Sequence, residues 1–147
     1  MAQVPDMMQS TGYLLYKAGV LAQRGLDEGL AAADLTYREF LVLAFSASEE
    51  LSQRDVSRRL SIDPTLIVAA VDALEERGLV ERTRDPRDRR RYVLVVTGAG
   101  KAALATAAKA ARRVDEQFLA GLDDAKADEL NELLREALAP HLPWLAG

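Results

Sequence analysis

The spacing of apolar residues along the chain predicts a protein built mainly of helices. Between Met7 and Ala33 apolar side chains recur three or four positions apart, as on a helix with one apolar face. The same segment contains several glycines, which weaken it as an isolated helix: Gly12, Gly19, Gly25 and Gly29. It therefore needs another element to pack against. Thr36 followed by Glu39 then gives the capping-box pattern at the start of a short, mostly apolar helix.

Two more helices are predicted directly afterwards, separated by a short turn. Ser52 and Asp55 repeat the capping pattern at the start of the first helix. Asp63 before Pro64 favours the start of the second helix, and Gly78 favours its end. The inward face of the second helix is predicted to contain Ile67, Ala70, Val71 and Leu74. Two such helices form a helix-turn-helix.

After Gly78 the pattern changes to short runs rich in β-branched residues. The runs "LVERTR" and "RYVLVVT" flank "DPRDRR", which predicts a β-hairpin with residues 85–90 at its tip. Residues 82–91 include six arginines, although the whole chain has 19 Lys plus Arg against 23 Asp plus Glu. A helix-turn-helix followed by a basic hairpin is a winged helix. In such a protein the second helix enters the major groove of DNA, and the hairpin reaches the backbone or minor groove.

Two helices are predicted to follow the hairpin. Thr97 caps the first, which continues to about Leu122, and Asp123 caps the second. The second carries a leucine stripe and ends near Pro140 and Pro143: Leu130, Leu133, Leu134 and Leu138. The predicted fold class is therefore mainly α with a small β-hairpin wing. We expect a single domain over residues 1–147, with a winged helix-turn-helix lobe at about 34–97.

Composition excludes several classes of function. The chain has no cysteine, which excludes disulfides, thiolate nucleophiles and thiol redox sensing. Its one histidine, His141, is predicted to be a surface or packing residue, so neither a metal site nor a cofactor is expected. No apolar run reaches the roughly 20 residues of a membrane span, and the N-terminus lacks the features of a signal peptide. We therefore expect a cytoplasmic protein that does not bind membranes.

The candidate DNA-binding residues come from the basic hairpin and from the exposed faces of the helix pair. They are Arg54, Arg58, Thr65, Leu66, Val68, Ala69, Arg84, Arg87, Asp88, Arg89, Arg90 and Arg91. Asp85 before Pro86 is predicted to start a turn. Asp88 is predicted to hold the guanidinium of a neighbouring arginine, Arg89 or Arg90, and to orient it. Phosphate contacts by these arginines would make binding depend on salt.

The sequence resembles the MarR family of bacterial transcriptional regulators over essentially its whole length. The residues that carry the resemblance are Asp72, Leu74, Glu75, Gly78, Leu79, Val80, Arg82, the run "DPRDRR" at 85–90, Leu94, Thr97 and Gly100. The resemblance implies a two-fold homodimer on double-stranded DNA with a palindromic operator, with dimerisation helices at about 7–33 and 98–145. It also implies a repressor that leaves its operator when a small molecule, often aromatic or phenolic, binds between these helices and the winged helices.

The sequence departs from the family pattern in the recognition helix. Val68 and Ala69 stand where family members often have a Thr-Arg pair, and Ala73 stands where a further arginine is common. The exposed face therefore has little hydrogen-bonding capacity, and Leu66 or Val68 is a candidate to contact a thymine methyl group. We expect more of the specificity to depend on the wing arginines and on DNA shape.

The candidate ligand-binding residues lie on the first two helices. They are Tyr13, Tyr16, Lys17, Tyr37, Arg38 and Phe40, with Phe45 nearby. Lys17 or Arg38 could meet a carboxylate of the small-molecule effector. The alternative interpretation is that these aromatic residues belong to the core, as aromatic residues at helical spacing usually do.

Two other classes of function are alternatives for this sequence. An enzyme would need Glu49, Glu50, Glu75 and Glu76 to act as catalytic pairs, but no nucleophile or set of metal ligands accompanies them. A winged helix that binds a protein instead of DNA would use the apolar face formed by Leu66, Val68 and Ala69. The second of these is the stronger alternative.

Overall fold

Six α-helices and one β-hairpin follow one another along residues 6–145, the part of the chain that the computed structural model describes. They are α1 (Thr11–Ala32), α2 (Tyr37–Ser48), α3 (Gln53–Leu60), α4 (Pro64–Glu76), β1 (Val80–Arg84), β2 (Tyr92–Val96), α5 (Gly98–Leu119) and α6 (Asp124–Leu138). Short 3-10 helices span Asp6–Gln9 and Pro143–Leu145. The predicted fold class is confirmed. The ends of the predicted domain, residues 1–5 and 146–147, lie outside the described residues.

Side-chain caps fix where most of the helices begin. The Thr36 hydroxyl accepts a hydrogen bond from the Glu39 N–H at 3.2 Å, and the Glu39 carboxylate accepts one from the Thr36 N–H at 2.7 Å. The first helix begins later than predicted, because Ser10 caps it by accepting from the Tyr13 N–H. Met7 belongs to the preceding 3-10 helix instead. Helix α5 ends at Leu119, slightly before the predicted end.

The core lies in the helix-turn-helix lobe. The predicted inward face of α4 is confirmed, since Ile67, Ala70, Val71 and Leu74 are all buried. They belong to a cluster with apolar residues of α2, α3 and both strands: Val42, Leu43, Val56, Val80, Leu94 and Val96. This packing fixes α4 relative to the hairpin, so the exposed face of α4 and the wing have a defined relative position.

The hairpin is antiparallel, with Val80 opposite Val96 and Arg84 opposite Tyr92. Residues 85–91 connect the strands, one residue more than the predicted tip at 85–90. The Leu94 N–H donates to the Leu51 carbonyl at 2.8 Å, which ties β2 to the connection between α2 and α3. The base of the wing is therefore part of the lobe, and only its tip projects from it.

The long helices α1 and α5 approach each other closely at Gly25 and Gly29. Both glycines are buried. A methyl group at Gly25 would overlap the side chain of Val114, and one at Gly29 would lie 2.5 Å from the Ala110 Cβ. The sequence predicts that these glycines weaken α1 in isolation. In the fold they also allow α1 to approach α5 more closely than alanine would permit.

Helix α6 is only lightly packed inside the described chain, and two leucines of its stripe, Leu133 and Leu138, are exposed. None of its residues is buried, and Leu133 is 56% exposed. Exposed leucines also occur on α1, at Leu14, Leu15 and Leu21. Apolar faces of this kind are typical of helices that pack against a second subunit. This exposure agrees with the predicted role of these helices in dimerisation. That role stays a prediction. Within residues 6–145, no helix is long and apolar enough to cross a membrane.

Candidate nucleic-acid interface

The outward face of α4 has the predicted exposed residues. Thr65, Leu66, Val68 and Ala69 are all exposed, with Leu66 at 42% and Val68 at 43%. The Thr65 N–H donates to the carboxylate of the cap residue Asp63 at 2.8 Å, which leaves the Thr65 hydroxyl at the start of the helix. This face presents mostly apolar groups to solvent.

Arg82 joins β1 to α4 through a network that sequence patterns did not predict. Its guanidinium donates to the carboxylates of Asp72 and Glu75, and its backbone N–H donates to Glu75 at 3.1 Å. Its Nε donates to the Gln53 Oε1 of α3 at 3.3 Å. The network holds the wing on the helix pair. It also engages the Asp72 carboxylate, which would otherwise project from the exposed face of α4.

Arg91 makes a second connection, between the wing and α3. Its Nη2 lies 2.6 Å from the Asp55 carboxylate, and its Nη1 lies 3.4 Å from the carboxylate of Asp85. The Ser52 hydroxyl donates to Asp55, and this bond is the main reason that the pKa of Asp55 is lowered to about 2. Burial opposes the shift, while the Ser52 N–H and Arg91 add to it. Arg91 was predicted to bind DNA, but these contacts favour a role in positioning the wing.

The low pKa of Asp55 gives a prediction for stability. A carboxylate with a depressed pKa in the folded state stabilises the protein above its unfolded pKa, and this contribution is lost as pH falls through the folded pKa. We expect Asp55→Asn to lower the free energy of unfolding at pH 7 by roughly 1–2 kcal/mol, since the pair is partly exposed to solvent. Urea unfolding at pH 7, 4 and 2 should show the difference from wild type shrinking between pH 4 and 2. If the difference in the free energy of unfolding between the two proteins does not change with pH, the lowered pKa of Asp55 is contradicted.

The prediction that Asp88 holds an arginine guanidinium is wrong for this structure. The Asp88 carboxylate accepts a hydrogen bond from the backbone N–H of Arg90 at 2.9 Å, so it shapes the loop instead. The short side chain of an aspartate two residues before an N–H favours this local bond. The predicted turn at Asp85 is confirmed, because its carboxylate accepts from the Arg87 N–H at 2.9 Å and its carbonyl from the Asp88 N–H at 3.2 Å. Asp85 is also buried.

The remaining candidate arginines divide into engaged and unengaged side chains. Arg87 pairs with Glu50 at 2.7 Å, and the Nε of Arg84 lies 3.3 Å from the Tyr92 hydroxyl. Four exposed arginines have no side-chain hydrogen bond or ion pair with any residue from 6 to 145: Arg54, Arg58, Arg89 and Arg90. We call these four the unpaired arginines.

The unpaired arginines lie on α3 and on the wing tip, the two elements beside α4. Arg54, Arg58 and Arg90 line the same groove, of about 490 Å³, between α3 and the hairpin, together with Asp88 and Arg91. The structure therefore brings together five residues that were predicted to bind DNA. A groove lined by several guanidinium groups can bind an anionic phosphate.

The predicted ligand-binding residues do not converge on one cavity. A groove of about 490 Å³ lies between α1, α5 and the start of α2, and of the predicted set only Tyr37 is among its lining residues in the described chain. Tyr13 and Tyr16 contact each other nearer the start of α1, with ring centroids 6.4 Å apart. Lys17 and Arg38 are exposed, while Phe40 packs against the core, which matches the alternative interpretation for that residue.

The acids considered for catalysis are largely engaged in ion pairs. Glu49 pairs with Arg59, Glu50 with Arg87, and Glu75 with Arg82. In the part of the chain that the structure covers, no group of three His, Cys, Asp or Glu residues could hold a metal ion. His141 is exposed, which matches the surface alternative of its prediction.

Comparison with known proteins agrees with this architecture. The MarR family model matches residues 33–91, which include α2, α3, α4, β1 and the connection that leads to β2. A regulatory protein for the hcr operon of Thauera aromatica is 42% identical over 85 residues, or 58% of this chain. This chain covers 51% of that protein, about half of its length.

Two solved structures match almost the whole chain. The transcriptional repressor CouR bound to a 23-mer DNA duplex is 31% identical, with a TM-score of 0.77, over 93% of this chain and 98% of that one. CouR from Rhodococcus jostii RHA1 bound to p-coumaroyl-CoA is 28% identical, with a TM-score of 0.77, over 95% of this chain and 97% of that one. This chain belongs to the MarR family of winged helix-turn-helix transcriptional regulators.

Proposed function

We propose that this protein is a repressor that binds a palindromic operator as a homodimer and releases it when a small molecule binds. The observation that carries the proposal is the set of unpaired arginines on α3 and the wing tip. Arginine side chains with no acidic partner inside the described protein are available to phosphates. Similar proteins support the proposal, since CouR has been solved on a DNA duplex.

The distribution of charge also supports DNA as the partner. The whole chain has a formal net charge of −4, but residues 54–91 contain ten arginines and eight acidic residues. Several of those acidic side chains are engaged by Arg82 and Arg91, which hold the wing in place. The unpaired arginines are four of these ten arginines, and their exposed positive charge, with no acidic partner in the described chain, would attract a polyanion.

Binding to the operator should depend steeply on salt. Each phosphate contact releases counterions, so a dimer with the unpaired arginines of both subunits on phosphates should give a log–log slope of up to roughly −7. Fluorescence anisotropy with a duplex selected from a random library, at several salt concentrations, measures this slope. A poly-glutamate competitor of similar charge density controls for nonspecific attraction to polyanions. Absence of binding to any duplex would contradict the proposal.

We propose that the effector binds in the groove between α1, α5 and the start of α2. Its lining is apolar at Ala22, Leu26 and Val114, with Tyr37 at one side. Asp27 and Asp115 also line it, and its lining contains no Lys, Arg or His within the described residues. An aromatic body fits such a lining, but the two carboxylates disfavour an anionic group. In the anisotropy assay, the neutral amide of p-coumarate should release DNA more readily than p-coumarate itself.

A further inference from the structure

We propose that α4 recognises its DNA site chiefly through the methyl groups of thymine bases, which Leu66 and Val68 contact in the major groove. The inference rests on the proposed function and adds the chemistry by which this protein selects its sequence.

The geometry of α4 places both side chains where bases would lie. Thr65, Ala69 and Asp72 follow one another along the middle of the exposed face, because they are four and three positions apart. Leu66 and Val68 lie on either side of this line and are exposed to similar extents. The methyl group of Ala69 in the middle leaves room for the helix to lie deep in a groove, with one apolar side chain directed to each flank.

The polar groups on this face are few, and one is already engaged. The Asp72 carboxylate accepts a hydrogen bond from the Arg82 guanidinium. Its Oδ1 is therefore engaged, and the ion pair weakens the carboxylate as an acceptor for the amino group of cytosine. The hydroxyl of Thr65 remains, at the first turn of the helix. Among the base edges in the major groove, only thymine presents a methyl group, whereas the others present hydrogen-bonding groups that Leu66 and Val68 cannot satisfy.

The charges around the apolar face favour DNA over a protein partner as its occupant. The unpaired arginines Arg54 and Arg58 lie on the preceding helix, and Arg89 and Arg90 lie at the wing tip. An apolar face beside a groove lined by Arg54, Arg58 and Arg90 matches DNA, in which phosphates border a groove that has methyl groups on its floor. A purely apolar protein groove would leave these guanidinium groups without partners.

Replacing single thymines by uracil tests the inference directly, because it removes only the methyl group and keeps every hydrogen-bonding group of the base. We use the full chain and the best duplex selected from a random library. Replacing one contacted thymine by uracil should weaken binding of the protein to the duplex about fourfold, which corresponds to the burial of one methyl-sized group. Restoring the bulk with 5-bromouracil at the same position should recover most of the affinity.

Variants of the helix identify the side chains responsible. The thymine-to-uracil ratio is the affinity for the duplex with thymine at one position divided by the affinity for the duplex with uracil there. Leu66→Ala and Val68→Ala should each bring this ratio close to one at a different set of positions. Both sites are exposed, and alanine favours helix, so the fold should be retained. Val95→Ala is the matched control, since Val95 is 42% exposed on β2, away from α4, and it should leave the ratio unchanged.

The outcomes separate this inference from the proposed function. A duplex that binds tightly, with no thymine position sensitive to uracil, would overturn the role of Leu66 and Val68 while leaving DNA binding intact. Sensitivity that persists unchanged in both α4 variants would overturn it as well. Both proposals would be overturned if the protein binds no duplex and Leu66→Ala weakens its binding to a protein partner instead.

Discussion

Replacing Arg54, Arg58, Arg89 and Arg90 together by alanine is expected to weaken operator binding more than about a thousandfold at physiological salt. The change removes the unpaired arginines from both subunits of the proposed dimer, and with them most of the counterion release that drives binding. The fold should survive, because none of the four side chains has a partner in the described chain to lose. Anisotropy with the selected duplex, together with the thermal unfolding temperature, measures both effects.

A variant with the same change of net charge provides the control. Lys101, Lys109, Arg112 and Arg113 are exposed on α5, and replacing them by alanine removes equal positive charge away from α3 and the wing tip. This control should lose much less affinity, because only long-range attraction is reduced. Equal losses in the two variants would mean that the total charge matters and that the positions of the unpaired arginines do not.

Gly25→Ala is expected to lower the free energy of unfolding by roughly 2–3 kcal/mol, an effect at the upper end of those caused by overpacking. The added methyl group would overlap the Val114 side chain, and both residues lie on long helices that cannot easily move apart. Chemical unfolding followed by circular dichroism, at one fixed protein concentration, measures the change. Combining it with Val114→Ala, which removes two of the overlapping carbons, should restore part of the stability.

Gly19→Ala is the matched control on the same helix. Nothing lies within 4 Å of a methyl group at Gly19, so this substitution should raise stability by up to ~1 kcal/mol through helix propensity alone. Opposite signs for the two glycines would show that contact with α5 decides the effect. Stabilisation by Gly25→Ala would contradict the close packing of α1 and α5.

Local features of the sequence predicted most of the fold. The capping pairs at Thr36 and Ser52 act within three residues, so the sequence contains everything that they need, and both are confirmed. The inward face of α4 follows from helical periodicity in the same way. The β-hairpin and its turn at Asp85 were also predicted from local residue types.

Features that depend on distant parts of the chain were not predicted. The partner of Asp55 is Arg91, and the position of Gln53 beside Arg82 depends on how the wing packs on the helices. Nothing in the local sequence indicates such pairs. For the same reason, Gly25 was interpreted through helix propensity alone, because the residue opposite it on α5 is known only once the helices are packed. The ligand-binding prediction grouped aromatic residues by type, and the fold separates them.

The close approach of α1 and α5 at Gly25 has a mechanical consequence. The α1 backbone rests on the Val114 side chain at this point, and α1 could tilt about it while keeping the contact. Thr11, at the start of α1, lies roughly 21 Å along the helix from that pivot, at 1.5 Å per residue. A tilt of roughly 10° would therefore displace the start of the helix by roughly 4 Å. The groove lined by Ala22 and Leu26 adjoins the pivot, so a small separation there is amplified at the far end of the helix.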